Sequence, residues 1–267
     1  HTMTAVMLCG IQVGGSLWPL VSLLTLERFG WHVVLWLGGV TLLLAPFLQK
    51  YLPADTRERS EGRSAAAPPG SALFRVGARR NHFCFWTACF MTLFLIYGLG
   101  TWLPELMLRS GNSMDSSLIF PIVMNIGGII GSFLFASLAD RKLGARKTLV
   151  ALYVLSAVSV YALGIHAPAP ALFAVLFLAG AGVFGAQNIA NAYVSAYYPA
   201  SLRTTGLGWY NGIGRAGAIC GSAVWGILLE WSLPVPTTFL IFALPALAGG
   251  LAFLSVREKM DPGMKPE

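Results

Sequence analysis

The chain has 267 residues, of which 56% are hydrophobic and only 11% are charged. A single soluble domain could not bury so large an apolar fraction, so the composition excludes an ordinary water-soluble protein and indicates helices in a lipid bilayer. The formal net charge of +7 lies in short loops between apolar stretches. Anionic lipid headgroups are the usual partner of such loops, and we expect no nucleic-acid binding.

Long apolar stretches follow one another from the first residues to Ser255. A bilayer core of about 30 Å requires roughly 20 apolar residues per helix. Eight stretches meet that length, so we predict an all-α, polytopic membrane bundle. The predicted helices cover residues 3–26, 31–49, 82–104, 117–139, 148–166, 170–195, 205–229 and 236–255.

Lysine and arginine are concentrated in alternate loops. Most of the 18 basic residues lie at 50–81, just after Ala139, near Arg203 or in the tail, whereas the opposite loops hold only Arg28 and Arg109. Because basic loops mark the cytoplasmic side, we predict an integral protein of the plasma (inner) membrane. Both ends of the chain are expected to lie in the cytoplasm.

One pair of helices is repeated within the chain. The first and seventh predicted helices share a pattern at constant offset: Gly10, Ile11, Gly14 and Gly15 match Gly212, Ile213, Ala216 and Gly217. Parallel six-helix repeats build one large class of transporters, so four further helices are expected to precede this sequence. The predicted organisation is the last two helices of an N-terminal bundle at 1–49, a cytoplasmic central loop at 50–81, a six-helix C-terminal bundle at 82–257 and a cytoplasmic tail at 258–267.

Arg215 is the one basic residue in the middle of a predicted helix. A charge at that depth costs about 2.5–3.5 kcal/mol on insertion scales, so it normally faces a cavity and has a partner. Helical spacing places Asn211 and Ser222 on the same face, and no acidic residue of the chain lies at that depth. The partner is therefore a substrate carboxylate, a helix carbonyl or an acid in the preceding helices.

Several uncharged polar residues also lie inside predicted helices. Each is a candidate substrate contact, and each could instead form an interhelical hydrogen bond within the bundle. These candidates are Tyr97, Asn125, Gln187, Asn188, Asn191 and Asn211.

The chain lacks the signatures of an enzyme or a cofactor-binding protein. The four cysteines lack metal-ligand spacing, and the GxGxxG pattern at 212–217 lies within an apolar helix instead of following a strand. No Asp, Glu or His lies at mid-depth of a predicted helix. We therefore predict no catalytic residues, no metal and no cofactor.

Two segments resemble a known family. The loop from Leu138 to Arg141, continued by Gly144 to Lys147, resembles the signature loop of the major facilitator superfamily. It has one extra residue before Gly144, and Ala136 stands where that family usually has glycine. Trp102 to Pro104 and the run from Tyr198 to Arg215 resemble the aromatic acid:proton symporters of that superfamily.

This resemblance implies that the chain supplies helices five to twelve of a twelve-helix transporter, with Tyr97, Asn125 and Gln187 on helices bordering the central cavity. It also implies a cytoplasmic gate formed by Asp140, Arg141 and Arg146, although these could belong to a solvated basic loop. The implied function is proton-coupled symport of an aromatic or other small organic acid by alternating access.

The symporters' acidic motif lies on their first helix, so the chain alone is expected not to transport. Its expected partners are the organic acid, protons, the bilayer and the preceding helices. The alternatives are a nicotinate-like anion or a sugar as substrate, or a non-transporting remnant or sensor.

Overall fold

The structure is a computed structural model that describes residues 2–29, 79–111, 114–165, 167–200, 202–231 and 233–256, with positions 32, 39 and 46. Within these ranges the regular structure is helical. The helices are α1 (Thr2–Phe29), α2 (Arg79–Arg109), α3 (Met114–Leu138), α4 (Ala145–Ala162), α5 (Ala169–Tyr197), α6 (Arg203–Glu230) and α7 (Val235–Leu254), with a π-helical turn at Ala139–Leu143.

Six of these helices, α2 to α7, are long and apolar enough to cross a membrane. The prediction of a helical membrane bundle is therefore confirmed. The predicted helix at 31–49, most of the central loop at 50–81 and the tail at 258–267 lie outside the described residues.

The bundle is built from closely packed helix pairs. Helix α2 packs on α6, α3 on α5 and α4 on α7, while α1 lies mainly against α3. Because successive helices run in opposite directions, the starts of α2 and α6 lie at one end of the bundle with the turn before α4. We call this the basic end, since Arg79, Arg80, Arg146 and Arg203 lie there.

Glycines allow two of these pairs to approach until their backbones touch. A Cβ atom added to Gly217 or Gly221 of α6 would lie 2.2 Å from the carbonyl oxygen of Phe90 or Phe94 of α2. On the α3–α5 pair, a Cβ at Gly127 would lie 2.1 Å from the carbonyl oxygen of Phe177. Close backbone approach at small residues is a common way for membrane helices to associate.

Large aromatic side chains fill the centre of the bundle. Towards the basic end, Phe85, Tyr153, Tyr210 and Phe253 are buried in one apolar cluster. Towards the other end, a second cluster surrounds Trp225, which stacks on Phe242. Outside these two clusters, polar side chains lie on the exposed faces of α2 and α6.

Candidate functional site

Arg215 of α6 and Tyr97 of α2 form a pair at mid-length of their helices. The Arg215 guanidinium donates a hydrogen bond of 2.5 Å to the Tyr97 hydroxyl oxygen. Its central carbon lies 5.7 Å from the centre of the Tyr97 ring, within the range of a cation–π contact. Both side chains are exposed, Tyr97 by 39%.

The pair presents hydrogen-bond donors outward. A guanidinium has five N–H donors and no acceptor, so Tyr97 must be the acceptor of the bond between them. The hydroxyl hydrogen of Tyr97 is therefore available to a further acceptor, beside the remaining N–H groups of Arg215. Two adjacent donors, one of them charged, match the two oxygens of a carboxylate.

Arg215 has no carboxylate partner among the described residues. The sequence left open a substrate, a helix carbonyl or an acid in preceding helices, and the structure adds a phenol from the neighbouring helix. A phenol shares a hydrogen bond but does not neutralise the charge. The guanidinium can still pair with an anion.

Helix α6 also borders a shallow groove of about 570 Å³ next to the face that carries Arg215. The groove is largely apolar, and three of its six lining residues are glycine or alanine. Its lining residues are Thr205, Gly208, Trp209, Gly212, Ile213 and Ala216.

The amide side chains predicted as substrate contacts bond mainly within the bundle. Asn188 is buried and donates to the Ser132 hydroxyl of α3 at 2.8 Å, which is an interhelical hydrogen bond. Asn191, Asn125 and Asn211 each donate to the carbonyl four residues earlier on their own helix. None of the three is brought to Arg215 by a hydrogen bond within the described residues.

Gln187 is buried, with 9% of its surface exposed, and its carbonyl oxygen accepts no hydrogen bond from the described residues. It lies beside the Cys89 thiol, which also faces the Tyr210 hydroxyl. Nearby, Thr92 and Tyr153 share a buried hydrogen bond of 2.7 Å. The sequence predicted Gln187 as a candidate but not its polar neighbours, because tyrosine and cysteine count as apolar residues in a hydrophobic stretch.

A second missed group lies at the basic end, where α2 begins and α5 ends. The Asn81 amide donates to the Tyr197 hydroxyl at 2.8 Å, and the His82 ring nitrogen Nδ1 bonds the Tyr198 hydroxyl at 2.7 Å. The rings of His82 and Tyr198 also stack, with centres 5.5 Å apart. Burial raises the pKa of Tyr198 above its ordinary value.

The predicted gate residues lie in and just after the π-helical turn at Ala139–Leu143. A π turn is the form that a helix takes when one residue is inserted, and it accommodates the extra residue before Gly144, whose φ is +75°. Asp140 and Arg141 are exposed there. Arg146 donates to the Phe253 carbonyl at 3.2 Å and to the Leu254 carbonyl, so it caps the end of α7.

The described ranges contain no group of three His, Cys, Asp or Glu side chains close enough to hold a metal ion. The chemistry available at the exposed site is thus that of hydrogen-bond donors and a fixed positive charge. Such a site can bind an anion reversibly.

Comparison with known proteins identifies the relatives of this chain. The family model for the Major Facilitator Superfamily matches it twice, over residues 2–141 and 122–267. The chain is 30% identical to the benzoate transport protein of Acinetobacter baylyi, over 95% of this chain and 61% of that protein. It is 33% identical to the gentisate transporter of Corynebacterium glutamicum, over 94% of this chain and 59% of that protein.

A gallate transporter of Pseudomonas putida is 31% identical, over 95% of this chain and 63% of that protein. The chain therefore spans about three fifths of the length of these relatives.

Proposed function

Since this chain belongs to the major facilitator superfamily, we propose that it is part of a secondary transporter that moves an aromatic or other small organic acid across the membrane. Its family and its relatives are transporters, not enzymes. Three of the relatives are named for benzoate, gentisate and gallate, each an aromatic ring bearing a carboxylate. The shared part of the substrate is the group that a guanidinium recognises.

The observation that carries this proposal is the Arg215–Tyr97 pair. Arg215 binds one carboxylate oxygen through its free N–H groups, and the Tyr97 hydroxyl donates to the other. We call this pair the carboxylate clamp. The adjacent apolar groove on α6 offers a surface against which an aromatic ring can lie.

The clamp lies on the six-helix unit α2–α7, which we assign as the C-terminal bundle, with α1 as part of the preceding bundle. In the complete transporter, the two bundles rock about a midplane site and expose the clamp to each side in turn. The proton is carried by an acidic group on a helix that precedes this sequence.

The gate also belongs to this proposal. Asp140 and Arg141 lie exposed at the basic end, within the turn that joins α3 to α4. Following the positive-inside rule, we propose that this end faces the cytoplasm and that the helices cross the plasma (inner) membrane. Arg146 acts there by holding the end of α7.

A nicotinate-like anion is the second candidate substrate. The chain is 26% identical to a niacin transporter of Acinetobacter baylyi, over 86% of this chain and 59% of that protein. Nicotinate also carries a carboxylate on a flat aromatic ring, so the same clamp would bind it. A sugar has no carboxylate, and the geometry of the clamp disfavours it.

The test is uptake of labelled benzoate by cells that express the complete transporter, with unlabelled benzoate, gentisate, nicotinate and glucose as competitors. Arg215→Ala removes the charged donor, and we expect the KM for benzoate to rise by about 10-fold to 100-fold. Arg215→Lys keeps the charge but loses the planar fork, so a smaller rise is expected. An unchanged KM in both variants would reject the role of Arg215 in binding the carboxylate.

A further inference from the structure

The geometry of the clamp depends on how α2 packs against α6, because each helix supplies one of its two side chains. We infer that Gly217, Gly221 and Trp102 are positioning residues, which set the distance between the two helices and so the distance between Arg215 and Tyr97. This inference rests on the proposed function. None of the three touches the proposed substrate.

The glycines set the closest approach of the two helices. Gly217 and Gly221 lie one turn apart on α6 and pack directly on the carbonyl oxygens of Phe90 and Phe94. Arg215 is two residues from Gly217, so the arginine projects from the α6 segment that these contacts hold. Tyr97 projects from α2 three residues beyond Phe94.

The indole of Trp102 holds the helices together on the other side of the clamp. Its N–H donates to the main-chain carbonyl of Ser222 at 2.8 Å. Between these two contacts, Gly98 of α2 lies against Trp225 of α6, where an added Cβ would lie 2.0 Å from the indole nitrogen. The helices are therefore in close contact on both sides of Tyr97.

The clamp has little tolerance for separation of its helices. A Cβ at Gly217 would lie 2.2 Å from the Phe90 oxygen, whereas ordinary contact begins at 3.4 Å. Helix α2 would have to withdraw by about 1 Å to relieve that overlap. With both side chains in their present rotamers, the Arg215–Tyr97 bond of 2.5 Å would then lengthen to about 3.5 Å, beyond the usual limit of about 3.2 Å.

The α3–α5 pair provides a matched control. Gly127 packs on the Phe177 carbonyl oxygen as closely as Gly217 packs on that of Phe90, at 2.1 Å for an added Cβ. Gly127→Ala therefore imposes a similar overlap on a different helix pair. That pair carries neither Arg215 nor Tyr97.

The experiment is a double-mutant cycle in the complete transporter, with KM and maximal rate for benzoate uptake normalised to the amount of protein in the membrane. We expect Gly217→Ala to raise KM by about fivefold in the parent and to leave it unchanged in the Arg215→Ala background. Gly127→Ala should change KM by the same factor in both backgrounds, whatever that factor is. If Gly217→Ala acts only through a general loss of packing, it will also change KM by the same factor in both backgrounds. That result would overturn the positioning role of Gly217.

Trp102→Phe is the milder variant, which decides the question if Gly217→Ala does not accumulate. It keeps an aromatic ring and removes one donor, so we expect KM to rise about threefold, again only when Arg215 is present. Equal effects with and without Arg215 would overturn the positioning role. If instead Arg215→Ala alone leaves KM unchanged, the proposed clamp itself fails, which is a separate result.

Discussion

Tyr97→Phe separates the two contributions that tyrosine makes to the clamp. The substitution keeps the ring, and with it the cation–π contact to Arg215 at 5.7 Å. It removes the hydroxyl oxygen that accepts the 2.5 Å hydrogen bond from Arg215 and donates to the proposed carboxylate. The arginine keeps its charge and loses its fixed orientation.

The size of the effect follows from the geometry. Hydrogen bonds to charged groups contribute about 1.5–3 kcal/mol when they are shielded from water. Tyr97 is 39% exposed, so water replaces part of the lost bond and we take about 1 kcal/mol. A loss of about 1 kcal/mol corresponds to roughly a fivefold rise in the KM for benzoate.

The assay is benzoate uptake by the complete transporter, with Tyr161→Phe as the matched control. Tyr161 of α4 is also a half-exposed tyrosine, 43% exposed, and it lies away from the α2–α6 contact. We expect its KM to equal that of the parent. A Tyr97→Phe variant that also binds benzoate like the parent would refute the view that the hydroxyl completes the clamp.

Two further predictions concern the basic end. His82→Ala removes a buried hydrogen bond and a stacked ring. We expect it to lower the stability of the detergent-solubilised protein by about 1–3 kcal/mol. Thermal unfolding of His82→Ala, Tyr198→Phe and the double variant checks this, and additive stability losses would contradict the predicted contact. Arg146→Ala frees the last carbonyls of α7, so we expect a stability loss of about 0.3–1 kcal/mol, whereas Arg141→Ala should leave stability unchanged. A slower transport rate in Arg146→Ala at full stability would assign Arg146 to the gate instead of the helix end.

Much of the fold could be predicted from the sequence because the bilayer imposes its thickness on each helix. Helix α5, for example, was expected at 170–195 and covers Ala169–Tyr197. The helix ends deviate most at α2, which continues past Pro104 to Arg109. There the Arg109 side chain donates to the Glu105 carboxylate and to the Leu229 carbonyl, contacts that no local pattern reveals.

The candidate site was predicted only in part. Arg215 stood out in the sequence because a charge among apolar residues carries a large desolvation cost wherever the helix packs. Asn188 is likewise a polar residue within an apolar stretch, but in the structure it donates a hydrogen bond to the Ser132 hydroxyl. An amide side chain can form its hydrogen bonds with a neighbouring helix or with a ligand. Its position along its own helix is the same in both cases, so the sequence does not distinguish them.

The sequence by itself therefore determined the six described membrane-spanning helices, α2 to α7, and the one charge near the middle of any of them, because hydrophobic length and charge are properties of a single segment. Only the tertiary structure decided that Tyr97 is the partner of Arg215, since 118 residues separate them along the chain. Their meeting depends on how closely α2 and α6 pack. That distance is set by glycines on one helix against carbonyl oxygens on the other, and it exists only once both helices are in place.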